Sequence, residues 1–127
     1  MGMTFWNKAK ARIGTLYLSS ALIPPTQIAS ADGAVIIKYG TVIITKAGVA
    51  VLTLANPTAT VDDFKELQVI SATANAHTLS NAAGAGFNAG GAATDVGTFG
   101  GAKGDNIFLV AYQGVWYVLS KVNVTLG

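Results

Sequence analysis

Short apolar runs separated by glycine and small polar residues fill the chain from residue 34 to residue 127. The clearest runs are five or six residues long and rich in Val, Ile, Thr, Leu and Tyr, which favour β-strands. They cover residues 41–45, 49–54, 107–112 and 115–120. No long helical repeat of apolar positions interrupts residues 34–127, and the spacing predicts about seven to nine short strands. We therefore expect an all-β fold, an antiparallel β-sandwich or barrel.

Two dipeptides with glycine in second place predict tight turns between strands. Tyr39-Gly40 and Gln113-Gly114 each stand between two apolar runs, which is the chemistry of a two-residue β-hairpin loop. The first would join the strands within residues 35–45, and the second would join those within residues 107–120. The sequence therefore predicts two antiparallel hairpins.

The run 49–54 is apolar on both of its alternating faces. A strand of this kind is either covered on both sides or lies at a contact between subunits. We therefore expect Val49 and Val51 to contact another copy of the chain, together with Trp116 of the last hairpin.

Residues 1–30 differ in character from residues 31–127 and predict an extended, partly helical N-terminal arm in front of a β-structured body. Thr4 can cap a short helix that reaches Arg12, and Pro24-Pro25 then forces an extended passage. The arm is too apolar to remain in water, so we expect it to dock on another protein or subunit. The residues expected to make this contact are Phe5, Trp6, Lys8, Lys10, Arg12, Leu16 and Tyr17.

The charge of the chain is divided unevenly. Residues 1–31 carry three basic residues and no acidic one, a net charge of +3, whereas residues 32–127 carry five lysines and six acidic residues, a net charge of −1. Three charges are few for binding a phosphate backbone, and the body has no excess of basic residues. Phe5 and Trp6 beside these charges fit an interfacial helix, but the segment is short. We therefore expect neither nucleic acid nor a membrane as the partner.

The same segment loosely resembles a secretory signal. Basic residues are followed by an apolar stretch and by Ala29-Ser30-Ala31, which is similar to a cleavage site. Thr15 and Ser19 interrupt the apolar stretch and Pro24-Pro25 follows it, so docking remains the preferred interpretation.

The composition favours a protein that buries surface against partners. The chain of 127 residues is 51% hydrophobic and 11% charged, whereas an average soluble domain has about 25% charged residues. One domain of this length can hold a hydrophobic core, and no apolar run reaches the roughly 18 residues of a membrane-spanning helix. Burial in an oligomer is the better explanation of so low a charge.

Side chains that carry chemistry are sparse. His77 is the only histidine and cysteine is absent, which excludes multi-histidine and cysteine-ligated metal sites. A general-base role for His77 beside Ser71 or Ser80 lacks a nucleophile-elbow pattern, so a structural histidine is favoured. Asp62-Asp63 with Glu66 lacks the ligand spacing and turn glycine of a calcium loop and is typical of a solvated loop.

The segment 84–89 superficially matches a dinucleotide-binding motif, which functions only between a strand and a helix. Further glycines follow up to Gly104, and each would cost a helix about 1 kcal/mol relative to alanine. The glycine-rich run 84–104 therefore predicts a surface loop with tight turns. We expect no catalytic residue, no cofactor and no metal.

Six short segments carry a family resemblance. They are residues 40–50 (GTVIITKAGVA), 52–58 (LTLANPT), 76–79 (AHTL), 86–88 (GFN), 98–105 (TFGGAKGD) and 114–120 (GVWYVLS). Taken in this order, they resemble the small β-structured head decoration (cement) or fibre proteins of tailed bacteriophages. The resemblance implies a non-enzymatic structural protein that is made in the host cytoplasm and placed on the outer surface of the phage head. It also implies a homotrimer whose partners are the major capsid protein and neighbouring copies of itself.

Two other functions remain open at this point. A tail-fibre or receptor-binding tip would recognise a host glycan through the glycine-rich loop, and it requires Phe87, Phe99 and Tyr112 to be exposed. A glycan hydrolase requires two carboxylates about 5 to 10 Å apart in a cleft.

Overall fold

A computed structural model describes residues 23–81 and 85–127, which form ten strands in two five-stranded sheets. The strands are β1 (Thr26–Ala29), β2 (Gly33–Val35), β3 (Gly40–Ile44), β4 (Val51–Leu54), β5 (Glu66–Ser71), β6 (Thr78–Ser80), β7 (Val96–Phe99), β8 (Asn106–Tyr112), β9 (Val115–Val122) and β10 (Val124–Leu126). Two short 3₁₀ turns, Phe87–Ala89 and Gly91–Ala93, lie between β6 and β7. The first sheet has the order β1-β3-β5-β8-β9, and the second has the order β10-β7-β6-β4-β2.

The first six strands alternate between the two sheets. β1, β3 and β5 pair in parallel in the first sheet, and β2, β4 and β6 pair in parallel in the second. The chain therefore winds through three turns, each of which adds one strand to each sheet. The register aligns corresponding side chains from turn to turn, so that Ile28, Ile43 and Ile70 lie in one row across the first sheet.

The last four strands complete both sheets with antiparallel pairs. β7 pairs with β6 in the second sheet, and β8 returns to the first sheet beside β5. β9 pairs with β8 through the turn at Gln113-Gly114, and β10 goes back to the second sheet beside β7. Gln113 and Gly114 have φ values of 47° and 81°, the two left-handed positions that a type I′ hairpin turn requires.

The predicted all-β class and sandwich are confirmed, and so is the hairpin at Gln113-Gly114. The pairing is mixed, however, where an antiparallel arrangement was expected. The predicted hairpin at Tyr39-Gly40 is wrong, because the strands on either side of it, β2 and β3, belong to different sheets. Each strand pairs instead with the strand one full turn away.

The core lies between the sheets and draws inward-facing residues from both. Its large fully buried side chains are Trp116, Phe87, Phe99, Ile44, Leu52, Leu67, Leu79, Ile107 and Leu109. The indole Nε1 of Trp116 on β9 donates a hydrogen bond to the carbonyl oxygen of Ala55, 2.9 Å away, just after β4 of the second sheet. Trp116 thus joins the two sheets of one chain.

This position corrects the expectation that Trp116 contacts another subunit. Its side chain has no exposed surface that a second copy could touch. Tryptophan combines a large apolar ring with one N–H donor, so it suits both cores and subunit interfaces. The sequence alone does not distinguish these two positions.

The body begins earlier than residue 31. β1 lies within the segment predicted as an arm, and the backbone N–H groups of Thr41 and Thr45 donate to the carbonyl oxygens of Pro25 and Ala29. The side chain of Gln27 on β1 connects the first sheet to β2 of the second sheet. Its Nε2 donates to the Ala34 carbonyl, and its Oε1 accepts from the Ile36 N–H. The arm residues from Phe5 to Tyr17 lie outside the described residues.

Candidate functional site: an aromatic cleft on the first sheet

The outward face of the first sheet carries a cleft whose floor is a row of three side chains. Thr41 on β3 pairs in register with Gln68 on β5, and Gln68 pairs with Phe108 on β8. Neighbouring strands lie about 4.8 Å apart, so the row places a hydroxyl, an amide and an aromatic ring side by side. These residues alternate with inward-facing Val42 and Val69, which hold the strands on the core.

The walls of the cleft come from the segments that lead into β3 and β5. Tyr39 stands before β3, whereas Phe64 and Lys65 stand before β5 and Glu66 begins it. Together with the floor, Pro24 and Gly40, these residues line an open cleft of about 420 Å³. The Lys65 Nζ lies 5.7 Å from the centre of the Tyr39 ring, within the range of a cation–π contact.

Phe64 is the most unusual residue of the cleft. Its side chain is 74% exposed, and its backbone φ is 69°, in the left-handed region that bulky residues rarely adopt. Its ring centre lies 5.8 Å from that of Tyr112 on β8, and its N–H donates to the Ala111 carbonyl oxygen. An exposed aromatic ring held in an unfavourable backbone conformation is a feature that clusters at functional sites.

Asp62 anchors the segment that presents Phe64. Its carboxylate is buried, and it accepts hydrogen bonds from Lys65 Nζ at 2.8 Å, Thr58 N–H at 2.6 Å and Lys38 Nζ at 2.9 Å. The bond from Lys65, followed by those from Thr58 and Lys38, holds the pKa of Asp62 far below its usual range. Asp62 is therefore a fixed negative charge that two lysines neutralise.

Asp63 ties the same segment to the β8–β9 hairpin. Its Oδ1 accepts from the N–H groups of Thr60 and Gln113, and its Oδ2 accepts from Gln113 Nε2 at 2.6 Å. Partial burial acts to raise the pKa of Asp63, but the hydrogen bonds from Gln113 and Thr60 outweigh it and lower the pKa. The two adjacent aspartates thus fix both sides of the segment at Phe64.

The arrangement can bind by stacking and hydrogen bonding. Thr41, Glu66 and Gln68 turn toward the cleft, and their side chains make no hydrogen bond to any other described residue. The carboxylates of Asp62 and Asp63 are engaged by lysines and N–H groups, so they do not form the free pair that a hydrolase uses. The described residues contain no cluster of three acidic, histidine or cysteine side chains that could hold a metal.

His77 lies in the core, as the structural interpretation of the sequence predicts. Its Nδ1 accepts the Ala50 N–H at 2.9 Å, which places the proton of the neutral ring on Nε2, where Thr73 Oγ1 accepts it at 2.9 Å. Burial lowers the pKa of His77, an effect that Lys46 reinforces and the charge of Asp105 opposes. The ring of Phe99 packs edge-on against it.

The glycine-rich run places its aromatic residues inside the protein. Phe87 and Phe99 are fully buried, whereas Tyr112 is exposed. Asn88 lies beside β9 and accepts the Val118 N–H, with the left-handed φ of 56° that asparagine tolerates. Phe87 and Phe99 of the glycine-rich run therefore offer no exposed platform for a glycan.

Val49 and Val51 are 46% and 49% exposed, on the second sheet's side of the molecule. The residues that alternate with them along the chain, Ala50 and Leu52, face inward and are buried in the core. The position of Val49 and Val51 leaves them available to a second copy, whereas the predicted arm contacts lie outside the described residues.

Local sequence patterns did not predict the cleft residues Tyr39, Thr41, Phe64, Gln68 and Phe108. One signal was present, because Phe64 is an apolar residue inside the most polar stretch of the body and a solvated loop would expose it. The row of Thr41, Gln68 and Phe108 depends on pairing between distant strands, which no local pattern reveals.

No protein-family model matches this chain, and no curated protein or solved structure shows significant similarity to it. Within the part of the chain that the structure describes, no helix is long and apolar enough to cross a membrane.

Proposed function

We propose that this protein is a structural component of a tailed-bacteriophage virion, a capsid decoration protein that binds the head lattice as a homotrimer and stabilises it. The proposal unites the resemblance carried by residues 40–127 with the surface of the two-sheet body. The observation that carries it is the near absence of charge from the outward faces of both sheets.

On the second sheet, the outward positions carry small hydroxyl and aliphatic side chains. They are Ala34, Val51, Thr53, Thr78, Ser80, Val96, Thr98 and Thr125. On the first sheet, Glu66 is the one charged residue among the outward-facing strand positions that the structure describes. The charges of the body lie instead in its loops and at the ends of its strands, so the broad faces are suited to protein contacts.

The row of Ile28, Ile43 and Ile70 is the most apolar part of these faces. Ile28 is 57% exposed at one end of the row, and beyond Asn106 the row ends at Val122, which is 55% exposed. A flat aliphatic row of this kind is a suitable contact for a second copy of the chain. We assign the trimer contact to this row, in addition to Val49 and Val51.

A binding assay with undecorated phage heads tests the function. The full chain is mixed with heads that lack decoration, and the bound protein is counted after sedimentation and located by electron microscopy. We expect occupancy at regular lattice positions, strengthened by the simultaneous contacts of three subunits. Absence of the protein from the heads would contradict the proposal.

The role of the arm is tested by removing residues 1–22 rather than residues 1–30, because the longer deletion destroys β1. The truncated protein is expected to keep the β-sheet signal and the cooperative unfolding of the body and to lose most of its binding to heads. Equal occupancy of heads by the two proteins would show that the arm makes no capsid contact.

A further inference from the structure

We propose that the cleft lined by Tyr39, Thr41, Phe64, Gln68 and Phe108 binds a neutral saccharide. This site is distinct from the glycine-rich run and does not depend on the proposed role in the virion. Three features of the cleft suit such a ligand: exposed aromatic rings, polar side chains without hydrogen-bond partners among the described residues, and the cancellation of nearby charges.

The aromatic rings supply apolar faces for the ring of a sugar. Phe64 is 74% exposed, and its backbone lies in the left-handed region at a φ of 69°. Tyr39 is also exposed and opens onto the same cleft. The carbon–hydrogen face of a pyranose can pack on such rings, which removes apolar surface of both groups from water.

The floor supplies hydrogen bonds to hydroxyl groups. Thr41 offers a hydroxyl, Gln68 offers both a donor and an acceptor, and Glu66 offers a carboxylate at the rim. None of these three side chains has a hydrogen-bond partner among the described residues. Adjacent hydroxyls of a sugar present donors and acceptors in alternation, which an amide and a carboxylate can match together.

The charges near the cleft favour a neutral sugar over an acidic one. Lys65, the cation of the cleft, already contacts the carboxylate of Asp62 at 2.8 Å. Lys38 contacts the other oxygen of the same carboxylate at 2.9 Å. The charges of Lys38 and Lys65 are balanced by those of Asp62 and Glu66. The cleft therefore has no excess positive charge to attract an anionic sugar.

The segment that carries Phe64 is already in its binding arrangement. Asp62 and Asp63 together accept hydrogen bonds from Thr58, Thr60, Gln113, Lys38 and Lys65. A ligand that binds such a fixed segment does not have to order it, which preserves affinity. The cleft also lies beside the isoleucine row and not within it.

The test is a titration of the isotope-labelled full chain followed by amide and side-chain NMR signals. The probes are neutral hexasaccharides of α-1,4-linked glucose, β-1,4-linked glucose, N-acetylglucosamine, mannose and galactose, with polygalacturonate as the acidic comparison. We expect at least one neutral probe to shift the side-chain NH₂ signals of Gln68 and the backbone signals near Phe64 in a saturable manner.

Variants then assign the binding to the cleft. Phe64→Ala and Gln68→Ala are each expected to weaken the binding by about tenfold or more, as the loss of a central contact does. Phe64→Tyr restores an aromatic face and should bind like the natural chain. Val61→Ala changes an exposed residue of the same loop that does not line the cleft, and it should leave binding unchanged.

Three results would overturn the proposal. One is the absence of shifts at Phe64 and Gln68 with every neutral probe. Another is binding that Phe64→Ala and Gln68→Ala leave intact. The third is preferential binding of polygalacturonate, which would show that the cleft selects an acid. Since Gln68 makes no protein hydrogen bond among the described residues, Gln68→Ala gives a readout even if a change at Phe64 disturbs the loop.

Discussion

Two residues of one short loop, Thr60 and Phe64, both have a φ of 69° although neither is glycine. Such a conformation costs about 1 to 3 kcal/mol for each residue and persists only where neighbouring contacts enforce it. The enforcing contacts here are the hydrogen bonds to Asp62 and Asp63 on either side. The loop therefore uses its polar residues to position an exposed aromatic ring, not to strengthen the core.

His77 makes the stability of the protein depend on pH. The neutral ring accepts the Ala50 N–H through Nδ1, and a protonated ring has no lone pair there. Burial lowers the pKa of His77 in the folded protein, so the unfolded chain takes up a proton first as the pH falls. We expect the free energy of unfolding, measured in urea, to decrease as the pH is lowered from about 7 to about 5.

The comparison variant for this prediction is His77→Asn, whose side-chain oxygen can still accept the Ala50 N–H. Because His77 is the only histidine in the chain, the variant should lose the dependence on pH between about 7 and 5. The lowered pKa values of Asp62, Asp63 and Asp105 add a second loss of stability that begins only below about pH 5. An equal slope above pH 5 in both proteins would refute the role of His77.

Gly40 determines whether β1 can pair with β3. It has a φ of 99°, and a Cβ at this position would lie against the carbonyl group of Pro25, which accepts the Thr41 N–H. We expect Gly40→Ala to lower the free energy of unfolding by about 2 kcal/mol or more, through strain and loss of the first strand pair. Chemical denaturation measures this change.

Gly48→Ala is the matched control within the turn that follows β3. A Cβ at Gly48 would meet no atom within 4 Å, and its backbone is not left-handed. The control should therefore unfold at the same free energy as the natural chain or up to about 1 kcal/mol higher. Similar losses in the two variants would mean that Gly40 has no special place in the strand pair.

Gly40 also shows what the sequence could and could not predict at the level of strands. Tyr39-Gly40 and Gln113-Gly114 have the same local chemistry, but only the second forms a hairpin. In the second pair both residues are left-handed, whereas in the first only Gly40 is. Strand positions follow from local patterns, but parallel pairing joins residues a full turn apart and leaves no turn signal between them.

The cleft, too, could be predicted only in part from the sequence. The sequence identifies residues 60–66 as the polar loop, but it does not show that their aspartates fix Phe64 over a sheet. The floor combines residues from β3, β5 and β8, which come together only through the register of three strands. Buried Trp116 illustrates the converse, because an aromatic residue in a strand suits either face until the register is known.

At the scale of the whole molecule, the described part of the chain carries most of its charged side chains in loops, and Glu66 is the one charge at an outward-facing strand position. The chain has 11% charged and 51% hydrophobic residues, and some of the apolar side chains of its body lie on the outward faces and not in the core. The isoleucine row is one line of such side chains.

The isoleucine row predicts which substitution breaks the oligomer. Ile28→Lys puts a charge at the exposed end of the row, whereas Val61→Lys puts the same charge in an exposed loop outside both assigned contacts. Light scattering during gel filtration should give the mass of three chains for the natural protein and for Val61→Lys, and the mass of one chain for Ile28→Lys. Both lysines lie on exposed positions, so neither should unfold the body. A lysine buried without a partner at a subunit contact should prevent that contact. If Val51→Lys dissociates the trimer and Ile28→Lys does not, the subunits meet through the second sheet. The isoleucine row is then free for the capsid.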